Sequence, residues 1–589
     1  MSTALALAPQ PLLLNGARGE LHACYYAATA PAHVAGDILL LPSFGEEMNR
    51  CRAMVALQAR ALAAIGMGCL VLDPYGTGDS GGEFSDASWE GWLDDMHIGL
   101  AWLRQHGQGC VSLWGIRLGA VMATQLARRD GQIRQLLLWQ PVQGGKQFYT
   151  QFLRIRIAAE LNLPDRVKTT AELRQRSARG EDIEVSGYKV GPLLAGQLDA
   201  LQWDENALAA LAQADWFEVL PDAQTSLAPA SVQAAERLAG QGARLSQTGV
   251  VGPAFWHVHE REIAPDLVRA TTERLSGWTG APSAKGPDTD APALNVAAGH
   301  GAERALVFAC ADDQLYGVLH AGAAEATLGV VVVVAGGPQY RAGAHRQFVN
   351  LGRHLARDGY PVLRFDLRGM GDSSGTHQGF EQSDADIRAA VDALLQQRPG
   401  LREVVLVGEC ESASGILFYA WRDPRVSDAV LINPWVRTVE GRAQVIIRHY
   451  YLHRLLSAEF WQLVFSGGYR VGESLRSMVE VARDYVRGRR QMARSRAAPE
   501  LHDLSSLPLP ERTAEGLRRF KGRALLLMSG LDLIAREFDE VTRASRAWDG
   551  LLDGQGITRI DIDDADHTFS REVWKTAAAV AVADWLRRR

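Results

Sequence analysis

Apolar and polar positions follow the same order in the two halves of this 589-residue chain. Each half has a short apolar run near its start, DILLLP at 37–42 and LGVVVVVAG at 328–336, which is typical of a strand buried on both faces. A segment of helical period follows, then a second strand, a glycine-rich turn and another helix. This alternation predicts, in each half, a mostly parallel sheet with helices on both of its faces.

One offset of 293 residues relates the two halves. It takes Gly115 to Gly408, LVLDPYGTGDSGG to LRFDLRGMGDSSG, and LLLWQP to AVLINP. This period is far longer than the roughly 20–50 residues of solenoid repeats, so it indicates duplication of a whole domain. A stretch rich in Gly, Pro, Ala and Asp separates the copies. We therefore predict domains at 1–278 and 303–589, joined by a linker at 279–302.

Each half also carries a long, irregular, arginine-rich insert, at about 144–212 and about 436–520. We predict that these inserts are helical caps over the carboxyl edge of the sheet, where open α/β sheets bind their ligands. The predicted fold is thus two tandem α/β domains, each a doubly wound, mostly parallel sheet with a cap.

Composition and charge narrow the class of protein. The net charge of −6 and the pI near 6.2 give no bias toward nucleic acid. The longest apolar run, at 328–337, is far shorter than the roughly 20 residues of a membrane span. The apolar N-terminus has no basic region, so we predict no signal peptide. Six cysteines without a C-x-x-C pair favour free thiols in a reducing cytoplasm.

Two strand–turn–helix elements carry different residues at their tips. VSLWGIRLGAVMATQLA has Arg117 there, and VVLVGECESASGILFYA has Cys410. Both resemble the G-x-S-x-G elbow, whose central side chain is exposed above a parallel sheet. Cysteine can attack a carbonyl and arginine cannot, so Cys410 is the predicted nucleophile, at a helix N-terminus that favours its thiolate. The alternatives are a buried structural cysteine, or a nucleophilic Ser412 or Ser414, both of which fall inside the predicted helix.

The second elbow departs from the pattern in two respects. Ser412 stands where the pattern has glycine, and close packing of helix on strand favours a small residue there. Glu409 and Glu411 flank the cysteine, and negative charge nearby disfavours a thiolate.

A base and an acid are predicted from their order along the chain. His567 lies in the loop between the last predicted strand and the terminal helix, and Asp532 follows the preceding strand, LLLMS. The order nucleophile, acid, histidine is that of elbow-type sites. Asp539 and Asp566 are alternative acids, and Asp566 is disfavoured because it adjoins the histidine.

Oxyanion donors are predicted from two backbone segments. One is the N–H of Glu411, which follows the nucleophile, and the other comes from the loop AGGPQYRAG after the first strand. The proline of that loop has no N–H, so Gly337 or Gln339 is the expected donor. We predict that Asp366 and Asp372 have a structural role, holding the glycine-rich turn together.

The N-terminal half has no nucleophile at its elbow. Asp222 stands near the position of an acid, but neither His257 nor His259 aligns with the position of the base. Arg117 at a helix N-terminus is a candidate for binding a carboxylate or phosphate group. The competing prediction is an internal ion pair of Arg117 with Asp222 or Glu46. In either case this half serves as a scaffold or binding domain.

Taken together, both halves resemble the α/β-hydrolase superfamily. GGPQYRAGAHRQF, FDLRGMGDSSG and the Cys410 elbow are similar to the exosortase A system-associated hydrolases of type 1. FGEEMNRCR, GDSGGEFSDASWEGW, WGIRLGA and WQPVQGGKQFYTQFLR are similar to those of type 2. The resemblance implies a type 2–type 1 fusion linked to bacterial exopolysaccharide production and PEP-CTERM protein sorting.

We therefore expect a cytoplasmic, serine-hydrolase-like enzyme with a Cys–His–Asp triad and no cofactor. It would act on a small acyl ester or thioester, and hydrolysis and acyl transfer to a sugar hydroxyl use the same residues. No group of residues has metal-ligand spacing, so no metal site is predicted. We predict neither a nucleic-acid partner nor a membrane span, and a homo-oligomer is compatible with the sequence. The alternative is a non-catalytic scaffold with two decayed sites, which Ser412 and the flanking glutamates favour.

Overall fold

The computed structural model describes residues 9–33, 36–160, 167–258, 260–278, 302–337, 339–436 and 504–589. Within these residues lie two eight-stranded sheets and one two-stranded hairpin. The strands of the N-terminal half are β1 (Gln10–Gly16), β2 (Gly19–Tyr26), β3 (Asp37–Leu41), β4 (Cys69–Leu72), β5 (Val111–Ile116), β6 (Gln135–Trp139), β7 (Ile183–Val185), β8 (Tyr188–Val190), β9 (Gln213–Leu220) and β10 (Leu245–Val251). Those of the C-terminal half are β11 (Glu303–Cys310), β12 (Asp313–His320), β13 (Leu328–Val334), β14 (Val362–Asp366), β15 (Glu403–Glu409), β16 (Val426–Ile432), β17 (Arg523–Ser529) and β18 (Ile557–Ile562).

The two large sheets have the same topology. Their strand orders are β1-β2-β4-β3-β5-β6-β9-β10 and β11-β12-β14-β13-β15-β16-β17-β18. In each sheet the first two strands pair antiparallel with their neighbours, and every later pair is parallel. Parallel neighbours need crossover helices, which cover both faces, and all seven residues of β13 are accordingly buried. The predicted fold of two tandem, mostly parallel α/β sheets is confirmed.

Helices follow the strands in both halves. In the N-terminal half they are Glu46–Ala64, Trp89–His106, Gly119–Asp130, Gly145–Ala159, Thr170–Ala178, Pro192–Ala200, Glu205–Ala210, Pro229–Gly240 and Pro265–Ser276. In the C-terminal half they are Gln347–Arg357, Asp384–Gln397, Glu411–Tyr419, Leu509–Arg519, Leu533–Ala544 and Glu572–Arg587. None of the helices in the described part of the chain is long and apolar enough to cross a membrane.

The insert of the N-terminal half is helical, as the sequence predicts. It contains the four helices between Gly145 and Ala210, together with the hairpin β7–β8, which the sequence pattern did not predict. The predicted cap of the C-terminal half falls mainly on 437–503, outside the described residues. The predicted linker at 279–302 also lies outside them, except for Ala302. The domain boundaries therefore stay a prediction.

Buried ion pairs join the two halves. Arg52 binds Asp73 of its own half at 2.7 Å and Asp372 of the other half at 2.7 Å. In reverse, Arg341 binds Asp366 of its own half at 2.6 Å and Asp79 of the other half at 2.8 Å. All of these side chains are at most 3% exposed, so each charge depends on its partners.

The 293-residue offset relates the carboxylates of these ion pairs, Asp73 to Asp366 and Asp79 to Asp372, but not the two arginines. Asp73 and Asp366 both end a strand and accept the backbone N–H of the residue six positions on, at 3.1 and 2.9 Å. This is the turn-holding role predicted for Asp366. Asp372 was also predicted to hold this turn, but its carboxylate in addition accepts hydrogen bonds from Arg52 of the other half. The halves thus meet with approximate two-fold symmetry, as the subunits of a symmetric dimer do.

Candidate active site

Cys410 lies at the tip of the turn between β15 and the elbow helix Glu411–Tyr419. Its backbone has φ 58° and ψ −121°, a conformation that costs a non-glycine residue on the order of 1–3 kcal/mol. Two hydrogen bonds to the segment 432–435 hold this turn. The Cys410 N–H donates to the Ile432 carbonyl at 2.8 Å, and the Cys410 carbonyl accepts the Trp435 N–H at 3.1 Å. The strain presents the sulfur at the carboxyl edge of the sheet.

Ser412 occupies the elbow position where the sequence pattern has glycine. Its buried Oγ accepts from the Glu409 N–H at 2.8 Å and donates to the Glu409 carbonyl at 2.7 Å. The side chain fits because Gly408 faces it, and a Cβ on Gly408 would lie 2.8 Å from that Oγ. Ser414 is also buried and donates to the Trp435 carbonyl. Both hydroxyls are thus bonded to backbone.

Asp532 and His567 are brought together as the chain order predicts. The Asp532 Oδ2 lies 2.7 Å from the His567 Nδ1. Asp532 also caps the helix Leu533–Ala544, accepting the N–H groups of Ile534 and Ala535 at 3.1 Å each. The two helix N–H groups therefore fix the carboxylate that orients the imidazole.

The alternative acids have other partners. Asp539 forms an ion pair with Arg559 at 2.6 Å. Asp566 accepts the Ser570 N–H at 2.8 Å and so closes its own loop. The geometry therefore favours Asp532 over both of them.

The His567 imidazole interacts with the Cys410 thiol, and each shifts the pKa of the other. Burial raises the pKa of the thiol, and the interaction with His567 offsets part of that effect. Burial also disfavours the charged imidazole, but its interactions with Asp532 and Cys410 prevail, and its pKa lies well above the ordinary value. Because Nδ1 faces Asp532, the other ring nitrogen is left for the sulfur. The arrangement suits transfer of a proton from sulfur to nitrogen.

Glu409 is a buried carboxyl beside this pair. Its Oε2 accepts from the Gln347 side chain at 2.5 Å, and its Oε1 has no partner among the described residues. Burial raises the pKa of Glu409 to about 7. Its negative charge in turn raises the pKa of the Cys410 thiol, as the sequence predicted for flanking glutamates.

Asn433 is a positioning residue that the sequence analysis missed. Its Nδ2 donates to Ser529 Oγ and to the His567 carbonyl, both at 2.9 Å, and its Oδ1 accepts the Ser529 N–H at 2.9 Å. It thereby ties the histidine loop to the ends of β16 and β17. The sequence held one signal for this residue, because Asn433 and Gln140 each precede one of the paired prolines. In the structure both residues have a positive φ, 44° and 42°.

The predicted oxyanion donors come from two segments that lie side by side. Glu411 is the first residue of the elbow helix, so its N–H has no partner inside the helix. Gly336 lies beside it, since a Cβ there would be 3.5 Å from the Glu411 carboxylate. The next residue, Gly337, has φ 57°. The Gln339 side chain donates to Glu46 of the N-terminal half at 2.6 Å.

Arg117 has the elbow backbone but a different environment. Its φ is 55°, and its N–H donates to the Trp139 carbonyl at 3.0 Å. The guanidinium binds Glu47 at 3.1 Å and lies over the Trp256 ring at 5.4 Å. The prediction of an internal ion pair had the wrong partner, because Asp222 instead accepts N–H groups of its own turn and Glu46 points to the other half. His257 lies on the surface, and His259 lies outside the described residues.

Aromatic side chains fill the space beside the Arg117 elbow. Phe44, in the loop that corresponds to the oxyanion loop, packs edge-on against Phe84, Trp92, Phe148 and Phe152. The cavity left there has a volume of about 20 Å³, which is space for roughly one water molecule. Among the described residues, aromatic packing therefore leaves little space beside the N-terminal elbow.

His22, Asp73 and Asp79 form a buried cluster whose ligand atoms lie within 4.8 Å of one another. Arginines neutralise both carboxylates: Arg52 binds Asp73, and Arg341 and Arg364 bind Asp79. The cluster belongs to the ion-pair network between the halves.

Three comparisons place the chain among known proteins. The family model described as alpha/beta hydrolase fold matches residues 329–454. A curated relative, the uncharacterized protein RP471 of Rickettsia prowazekii, is 28% identical over 111 residues, which cover 19% of this chain and 47% of that protein. The chain thus spans about half the length of that relative.

Solved structures also match. The esterase Pf2001 of Pyrococcus furiosus is 15% identical with a TM-score of 0.33, covering 49% of this chain and 91% of that one. The esterase domain of a Rhodothermus marinus protein is 17% identical with a TM-score of 0.30, covering 49% and 98%. The haloalkane dehalogenase DatA of Agrobacterium tumefaciens is 19% identical with a TM-score of 0.29, covering 49% and 97%.

The matched family model covers β13 to β16, and the strand order extends the same architecture to both halves. The fold is that of the α/β hydrolases. The elbow turn after the fifth strand of each half carries Cys410 in one half, after β15, and Arg117 in the other, after β5. The chain therefore has two sheets of this fold with different residues at the tips of their elbows.

Proposed function

We propose that the C-terminal half is a cysteine-dependent acyl hydrolase or acyltransferase acting on a small ester or thioester. One observation carries the proposal: Cys410 lies at a strained elbow beside His567, which lowers the pKa of its thiol and whose Nδ1 lies 2.7 Å from Asp532. A nucleophile, a base and a group that orients the base are the requirements of covalent acyl transfer.

The reaction follows from these positions. The Cys410 sulfur attacks the carbonyl carbon while His567 accepts the thiol proton and Asp532 stabilises the imidazolium. The N–H of Glu411, with that of Gly337 or Gln339, stabilises the oxyanion. Collapse of the tetrahedral intermediate releases an alcohol or thiol that takes the proton from His567, leaving an acyl-cysteine. Water or a hydroxyl then attacks this thioester, again through His567, and restores the thiol.

The N-terminal half takes a non-catalytic part in this proposal. The Arg117–Glu47 pair at 3.1 Å and the packed aromatic rings support a scaffold role for it. The free thiols of all six cysteines support a reducing, cytoplasmic location. The motifs similar to types 2 and 1 of the exosortase-associated hydrolases support a link to exopolysaccharide and PEP-CTERM systems.

The test compares the parent chain with Cys410→Ala on short acyl esters and acyl thioesters. We expect turnover by Cys410→Ala to fall by at least about 10³-fold, because removal of a covalent nucleophile causes losses of that order. Cys310→Ala, which removes a buried cysteine of the same half, is the matched control and should keep parental turnover. Turnover by Cys410→Ala equal to that of the parent would refute the proposal.

A scaffold without catalysis is the second candidate, because burial and Glu409 both raise the pKa of the Cys410 thiol. It predicts that iodoacetamide modifies Cys410 at the same slow rate in the parent and in His567→Ala. The acyl-transfer proposal predicts that His567 assists the reaction, so modification should be slower in His567→Ala than in the parent.

A further inference from the structure

We infer that Glu46 of the N-terminal half is a positioning residue for the oxyanion loop (residues 335–343) of the C-terminal half. The inference rests on the proposed function and adds to it a part for the half that lacks a nucleophile. Glu46 is the first residue of the helix Glu46–Ala64 and corresponds, at the 293-residue offset, to Gln339 of the oxyanion loop.

The Glu46 carboxylate bonds to the middle of this loop and to a residue just after its end. Its Oε1 accepts from the Gln339 side chain at 2.6 Å, and its Oε2 accepts the His345 N–H at 3.2 Å. Gln339 and Gly337 are the candidate donors of the second oxyanion hydrogen bond. The charged Glu46 carboxylate, by accepting two hydrogen bonds, therefore fixes the loop that must present one of these N–H groups to the substrate.

Two side chains of the N-terminal half hydrogen-bond to the Glu46 carboxylate and fix its position. The Tyr188 hydroxyl, on β8, donates to its Oε2 at 3.0 Å, and the Asn49 Nδ2 donates to the same oxygen at 3.0 Å. The Asn49 Nδ2 also donates to the Gly343 carbonyl, at 3.0 Å, so it reaches the last residue of the oxyanion loop directly. Tyr188 is buried, which makes the carboxylate a fixed acceptor.

His345 connects the same contact to the histidine loop. Its ring nitrogen Nε2 lies 2.9 Å from the carbonyl of Thr568, the residue after His567. Burial lowers the pKa of His345 to about 3, so this ring is neutral near neutral pH. The hairpin β7–β8 packs on the ring, since a Cβ on Gly187 would lie 2.2 Å from it. One surface of the N-terminal half thus contacts both segments that flank Cys410.

The oxyanion loop needs such a support for a physical reason. Gly336 and Gly337 both have positive φ, 95° and 57°, and glycine backbones lose more entropy on ordering than other residues. A catalytic hydrogen bond depends on donors held within about 0.5 Å of their working position. Loss of one oxyanion donor lowers the rate by about 10²- to 10³-fold. The anchor for these glycines is supplied across the interface.

The experiment compares Glu46→Ala with Glu184→Ala in the full-length chain. Glu184 is the matched control, because it is a glutamate of the same half that accepts a backbone N–H of the other half, that of Glu572 at 2.8 Å. Three readouts are taken: kcat and KM on a short p-nitrophenyl ester, the rate at which iodoacetamide alkylates Cys410, and amide hydrogen exchange of the peptide covering 335–343.

For Glu46→Ala we expect kcat to fall by about 10²-fold with KM nearly unchanged. Alkylation of Cys410 should stay within about 2-fold of the parent, because it needs the thiol and His567 but no oxyanion donor. Exchange in 335–343 should become faster. Glu46→Gln, which keeps the volume and one acceptor oxygen, should give an intermediate kcat, and Glu184→Ala should match the parent.

Parental kcat and parental exchange in Glu46→Ala would overturn the inference. So would a fall in kcat accompanied by an equal fall in Cys410 alkylation, since that reports a general loss of structure. Failure of the proposed function is seen separately, in undiminished turnover by Cys410→Ala.

Discussion

Glu46 and Gln339 occupy equivalent positions in the two halves, 293 residues apart, and their side chains hydrogen-bond to each other at 2.6 Å. Contact between equivalent residues is what a two-fold axis produces. The pair therefore marks the axis that relates the halves, and the Arg52 and Arg341 networks lie around it. The two α/β-hydrolase sheets are thus joined through the loops next to their elbows.

Replacing the acid tests the orientation of the base. Asp532→Asn keeps the shape of the side chain but removes the charge that stabilises the imidazolium and favours its tautomer. We expect kcat on a short acyl ester to fall by about 10²- to 10⁴-fold, with KM little changed. Asp539→Asn removes a carboxylate of the neighbouring helix and serves as the control. Equal activity in the two variants would exclude Asp532 as the acid.

Asn433→Ala tests the positioning of the histidine loop. The change leaves the buried Ser529 N–H and the His567 carbonyl without their partner. We expect a loss of about 1–3 kcal/mol in the free energy of unfolding, measured in urea, together with a lower kcat. Stability equal to that of the parent, with unchanged kcat, would contradict this role.

The interface network predicts that the two halves depend on each other for stability. Asp372→Asn leaves Arg52 and Arg341 buried beside a neutral side chain, and breaking such pairs costs about 3–5 kcal/mol. Urea unfolding should show that loss. Asp266→Asn, at an exposed pair with Arg269, is the control and should leave stability nearly unchanged, because water screens exposed pairs. An Asp372→Asn protein as stable as the control would refute the prediction.

Glu409 predicts a pH dependence at the nucleophile. Its pKa is about 7, so it is charged above that pH and then raises the pKa of the Cys410 thiol. Glu409→Gln removes the charge, and the midpoint of Cys410 alkylation against pH should move to lower pH. Glu381→Gln, whose carboxylate pairs with Arg512, is the control. An unchanged midpoint, or a shift to higher pH, would show that Glu409 does not act on the thiol.

The folded-state pKa of Glu409 also has a consequence for stability. Because it lies above the value of about 4.3 for an unfolded glutamate, the folded protein binds the proton more tightly. This contribution to stability is fully present below the unfolded pKa and is lost as the pH rises through about 7. In Glu409→Gln the unfolding free energy should therefore fall less over that range than in the parent, as measured by urea unfolding at several pH values.

The sequence was informative wherever the position of a residue follows from local chain order. The strand–turn–helix pattern placed Cys410 at a tip, and the loops after the last strands placed Asp532 and His567 in one site. Contacts that depend on packing between distant segments were not accessible. The partner of Arg117 is Glu47 rather than Asp222 or Glu46, because the first turn of the helix Glu46–Ala64 lies next to the elbow. Asn433 and the Glu46–Gln339 contact likewise depend on segments that the linear order does not bring together.

The most direct test of the account is identification of the acyl-enzyme by mass spectrometry. The full-length chain is incubated with a panel of short acyl thioesters, quenched in acid and digested, and the peptides are searched for the added acyl mass. We predict an adduct on Cys410 that forms in the parent and is absent from Cys410→Ala. In His567→Ala at high pH, where the thiolate forms without the base, the adduct should accumulate if its hydrolysis is slowed more than its formation. An adduct confined to another residue, or no adduct while the ester is turned over, would contradict the assignment of Cys410 as the nucleophile.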